Sequence, residues 1–145
     1  MKDIHSGMNI ALALAAAVLA ADTTSAAIDL QGYDAAEIVL SVGAGGITFS
    51  GTNKVEFVLT HSDDDVTYTP VTLTDIIGAP AVTNGIIKAL TAAHAEGKAY
   101  RFGYKGGKRY LKLMADFSGT HGTGTPISAI VIRARGYDNP QANQA

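Results

Sequence analysis

The sequence predicts an all-β protein: a single-domain β-sandwich or jelly roll with an extended N-terminal arm. Three observations carry the prediction. Short runs rich in Val, Ile, Thr and aromatic residues alternate apolar and polar side chains, as half-buried strands do. Turn signals recur every ~8–12 residues, which fits about eight strands of a sandwich or jelly roll. The chain also holds 16 glycines, which suit tight turns and weaken helices.

In order along the chain, residues 1–25 form the expected arm. Within it, residues 10–21 are an Ala/Leu run of the size of a signal-peptide core. Asp3 offsets Lys2 and the run is mostly alanine, so the favoured reading is an ordered arm or a first strand packed on a neighbour. The run is shorter than the ~20 apolar residues of a membrane-spanning helix. Residues 26–137 are the expected sandwich domain. Residues 26–30 are a short apolar segment closed by a turn at Gln31 and Gly32. Residues 37–42 alternate, with Ile38, Leu40 and Val42 on one face. Residues 47–49 suggest a further short strand. Val55, Phe57 and Leu59 mark the clearest half-buried strand.

Asp63, Asp64 and Asp65 form a polar hairpin tip, and Pro70 puts the return strand at an edge or ends it early. Thr74 is a candidate cap for a single helical turn. Residues 86–94 combine helical spacing with flanking glycines and lean towards strand or irregular structure. Tyr100, Phe102 and Tyr104 share a strand face. Across the turn at Gly106 and Gly107, Leu111, Leu113, Ala115 and Phe117 share another. Residues 127–132 are apolar on both faces, as expected of a central strand between two layers. Residues 138–145 are a polar tail expected to fray.

With 145 residues, 47% of them apolar and 17% charged, the chain is long enough for one real core and too apolar for disorder. It has no cysteine, which excludes disulfides and thiolate-bound zinc. Charge is unevenly divided. Residues 1–97 carry three basic and eleven acidic side chains, net −8; residues 98–145 carry eight basic and two acidic, net +6, giving the overall −2. The stretch YRFGYKGGKRYLKL (100–113), with the lysine just before it, concentrates the cations. Lys98, Arg101, Lys105, Lys108, Arg109 and Lys112 are six of the eleven Lys and Arg residues. Such a separation points to a partner surface or to contact between copies.

No catalytic constellation competes with that feature, and the sequence predicts neither an enzyme nor a cofactor. Asp63, Asp64 and Asp65 lack the alternating acids, Gly and closing Glu of an EF-hand, so a solvated turn is favoured over calcium. GTHGTGT (119–125) lacks the Gly-Lys-Ser/Thr ending of a phosphate loop. His5, His61, His94 and His121 are scattered, with no pair at metal-ligand spacing. No Gly-x-Ser-x-Gly elbow is present. Cations interleaved with aromatics suit single-stranded nucleic acid. Yet the aromatics alternate as a buried face does and net charge is negative, so a protein partner is favoured.

Three segments together resemble a known group. IDLQGYD (28–34), VEFVLTHSDD (55–64) and GYKGGKRY (103–110), followed by ISAIVI (127–132), are similar to small proteins encoded in the head-gene region of tailed bacteriophages. The resemblance implies a virion structural protein, first of all a jelly-roll decoration (cement) protein on the major capsid lattice. It would be assembled in the host cytoplasm, would associate with its own copies, and would have no membrane partner. A head–tail connector or tail role is the alternative within the group, and a secreted carbohydrate-binding β-sandwich the alternative outside it. Partner contact is expected from the six cations and from Ile10, Leu12, Leu14, Val18 and Leu19 of the arm.

Overall fold

Alternation of apolar and polar residues at period two builds the molecule. The computed structural model describes residues 3–142, which form eleven strands and two single 3-10 turns. The strands are β1 (Met8–Leu19), β2 (Thr23–Thr24), β3 (Ile28–Asp29), β4 (Tyr33–Val42), β5 (Lys54–Ser62) and β6 (Thr69–Pro70). They continue with β7 (Ile76–Ile77), β8 (Ile86–Leu90), β9 (Lys98–Tyr104), β10 (Tyr110–Ser118) and β11 (Thr125–Gly136). One sheet runs β1-β11-β4-β9-β7. The other runs from β2 and β3 through β10 and β5 to β6 and β8. Every pairing is antiparallel.

The winding is that of a jelly roll. Four antiparallel ribbons, β1 with β11, β2 and β3 with β10, β4 with β9, and β5 with β8, are rolled so that the two sheets face each other. The inner faces supply the core. Ile38, Leu40 and Val42 of β4 meet Val55, Phe57 and Leu59 of β5, with Leu111, Leu113 and Ala115 of β10 and Ala129 and Val131 of β11. Burying each of the larger ones contributes ~1.5–3 kcal/mol.

Several expectations are corrected. Residues 8–19 are not an arm reaching for a neighbour. They pair along their length with β11 of the same chain, and Leu14, opposite Ala129, is buried in the core. Register shifts on either side of Leu14 let this strand, apolar at every position but Asn9, turn Leu14 inward while Leu12 and Val18 stay exposed. The segment around Gly106 and Gly107 is not a hairpin, because β9 and β10 lie in opposite sheets. Residues 105–109 form a corner crossing the ~10 Å between layers. Residues 47–49 are irregular, although Phe49 is buried.

The helical turn is a 3-10 turn at Leu73–Asp75, and Thr72, not Thr74, precedes it. The Thr72 amide donates to the Asp75 carboxylate at 2.8 Å. β11 buries Ile127, Ala129 and Val131, but its other face, with Ile130 and Ile132, has no layer over it among the described residues. Tail residue Gln141 is held by the Tyr33 hydroxyl and by the Ser6 carbonyl; residues 143–145 lie outside the described part. Two further expectations agree with the structure: Pro70 ends a two-residue edge strand, and residues 86–90 are a strand.

Candidate protein-interaction site

The basic corner is fixed from inside. Tyr104 ends β9 pointing into the core, where burial raises its hydroxyl pKa to about 12. That hydroxyl accepts the Lys108 amide at 3.1 Å and lies 2.9 Å from Nδ1 of His61 on the facing sheet. Burial, helped by the charge of Lys108 and opposed by the carboxylates of Asp75 and Asp63, lowers the His61 pKa. Neutral His61 carrying its proton on Nε2 accepts the Tyr104 hydroxyl proton at Nδ1. The Lys105 amide donates to the Asp75 carbonyl at 2.8 Å, and Gly107 takes a positive φ of 73°. A Cβ on Gly106 would meet the Tyr104 ring at 2.7 Å. The two glycines thus allow the crossing that the aromatic anchor requires.

Folding disperses the six cations. Lys105, Lys108 and Arg109 stay at the corner. Lys108 pairs with Asp63 at 3.2 Å, and Arg109 grips both oxygens of Asp29 at 2.9 and 2.7 Å. The hydrogen bond from Arg109, opposed by desolvation and assisted by the Gln31 amide, holds Asp29 below its usual pKa. Lys112 lies on the outer face of the other sheet, its Nζ 4.2 Å from the centre of the Tyr68 ring. Lys98 stands at the far end of β9, and Arg101 on that sheet's outer face. The expected single basic surface is therefore not formed. Acids distant in sequence neutralise its centre, and strand geometry separates the rest.

The five arm residues divide as well. Leu14 is buried and Leu19 packs against the core, whereas Ile10, Leu12 and Val18 are exposed. Register aligns Leu12 with Ile130 and Val39, and Ile10 with Ile132 and Glu37. The outer face of β1-β11-β4 is thus an apolar surface where a sandwich is usually polar. Sequence reading assigned Ile130 and Ile132 to the interior, because apolar residues on both faces of a strand suggest cover on both sides.

The other candidates serve the fold. The Asp64 carboxylate accepts the Val66 and Thr67 amides and the Ser62 hydroxyl, which lowers its pKa to about 2. Asp63 and Asp65 are turned to Lys108 and Tyr68. Among the described residues no group of three acids or histidines is placed to hold a metal. In the 119–125 loop, His121 is buried edge-on against Phe117 with ring centres 4.7 Å apart, and its Nε2 donates to the Ser118 carbonyl. His94 donates from Nδ1 to the Gly43 carbonyl, so its Nε2 accepts the Tyr100 hydroxyl at 3.0 Å. No helix of the described residues is long and apolar enough to cross a membrane. No protein-family model matches the chain, and no curated protein matches its sequence significantly.

Proposed function

We propose that the protein is a structural virion protein of a tailed bacteriophage, a decoration (cement) protein that binds the major capsid lattice and stabilises the head. The observation that carries this reading is the apolar outer face of β1-β11-β4, where Leu12, Ile130 and Val39 share one row. Such a face suits docking on protein and offers nothing to a small polar ligand. The resemblance of residues 28–34, 55–64 and 103–110 to phage head-region proteins supports the same reading. Lys105, exposed at the corner without an ion pair among the described residues, supplies a charge that steers towards acidic capsid surfaces. Copies arrayed on a lattice act together, so weak single contacts suffice.

The test is imaging of particles purified from a lysate of the organism carrying the gene, with density fine enough to trace the chain. Copies repeated over the head lattice, contacting capsid through Leu12 and Ile130, are the expected result. A single ring at one vertex assigns the protein to the connector or tail. No copies on the particle defeats the virion reading.

A further inference from the structure

The side of the sandwich opposite β1 is open, and its geometry describes a second site. β7 covers only Gly103 and Tyr104 of β9, after which the chain leaves the sheet at Gly78 with φ +93°. Residues 98–102 of β9 therefore have β4 on one side and no strand on the other among the described residues. A Cβ placed on Gly78 would sit 3.4 Å from the Arg101 carbonyl oxygen, so that carbonyl points to the β7 side of β9, with Gly78 alongside it. In a strand the N–H and C=O of one residue point the same way and repeat every second residue. Ala99 thus presents a donor and an acceptor to a position that no strand fills among the described residues, and Arg101 points the same way beside Gly78.

Beneath that position lies a cleft of about 450 Å3 between the two sheets. Ile87 and Phe102 line it, with Pro80, Lys88 and Tyr100 around them. Lys88 is opposite Phe57 on β5, which aims it between the layers, and its Nζ stands 4.5 Å from the centre of the Tyr100 ring. Lys88, Lys98 and Arg101 surround the position, and none is in an ion pair among the described residues. The acids closest along the chain and in register are Glu96 and Glu37. The Glu37 carboxylate lies against Gly103, one register row from Arg101.

We propose that this edge binds an extended, acidic and apolar peptide strand of a partner protein. The strand adds to β9 through Ala99 and Arg101. Its apolar side chains enter the cleft over Ile87 and Phe102, and its carboxylates, on the opposite face of the strand, meet Arg101. Main-chain pairing supplies affinity and alternate side chains supply selectivity. The site is independent of the virion reading and of the opposite, β1 side of the sandwich.

The experiment titrates the full chain with end-capped peptides of alternating Val and Glu, and with the same peptides carrying Lys for Glu. Fluorescence anisotropy is read at low and high salt. Saturable binding of the Glu peptide, weakening with salt, is expected, with the Lys peptide at least about tenfold weaker. Ala99→Pro removes an edge donor that β4 does not use and should lower affinity by about tenfold or more. The variant Arg101→Glu should prefer the Lys peptide. Should Ala99→Pro fail to fold, a Glu peptide N-methylated at alternate amides gives the same test on the unaltered protein. Equal affinity for both peptides, undiminished binding by Ala99→Pro or of the N-methylated peptide, or no saturable binding each overturns the proposal. So does a concentration-dependent dimer that Ala99→Pro abolishes, which gives the edge to a second copy.

Discussion

His61 stands on one sheet and Tyr104 on the other, and the proton between them sets the geometry of the corner. Tyr104→Phe removes the acceptor of the Lys108 amide and the donor to His61 together. The loss should be ~1–3 kcal/mol of unfolding free energy, since buried partners are left unsatisfied; urea denaturation checks it. The same pair predicts a pH dependence. His61 has a folded pKa below its ordinary 6.5, so the unfolded chain binds the proton more readily. Its contribution is complete above pH 6.5 and is lost as pH falls through the folded value. Denaturation at pH 7.5, 6.5 and 5.5 should show falling stability, and His61→Gln should flatten that fall. An unchanged slope in the variant would place the proton uptake elsewhere.

At the scale of elements, β1 separates folding from docking. Leu14→Ala empties a core position and should cost about 2–5 kcal/mol, while Leu12→Ala, on an exposed side chain, should change stability by less than about 0.5 kcal/mol. Thermal denaturation of the two variants measures the difference. Deleting residues 1–19 should unfold the domain, because it uncovers β11 and removes Leu14 from the core; a folded deletion product, seen by circular dichroism, would return β1 to the status of an arm. β4, β5, β9 and β10 were legible because their apolar residues fall on alternate positions. β1 was not, since a run of Ala and Leu has no polar face to mark its phase and resembles a leader as much as a strand. The corner was misjudged for a related reason. Alternation tells which face a side chain takes but not which strand lies alongside, and glycines serve a hairpin and a crossing equally.

Across the whole molecule, the charge division of the sequence becomes a set of stitches. Arg109 reaches Asp29, Lys108 reaches Asp63, and Arg133 donates to the Asp29 carbonyl, so the basic end of the chain closes over its acidic beginning. The two ion pairs are exposed, and Arg109→Ala should leave the urea denaturation midpoint almost unchanged. Net charge along a sequence therefore overstated the basic surface. The cations were legible as a group, but their partners, 80 residues away for Asp29 and 45 for Asp63, were not.

The pairing of the first long strand with the last has a consequence for how the protein is made. Met8 faces Ala134 and Leu19 faces Thr125, so β1 emerges from the ribosome about 100 residues ahead of β11 and waits for it, apolar and unpartnered. At synthesis rates of ~5–20 residues per second the wait lasts several seconds. No native sheet containing β1 can close until β11 has been made, and a chain stalled before residue 125 would leave that strand open to aggregation or to capture by a chaperone.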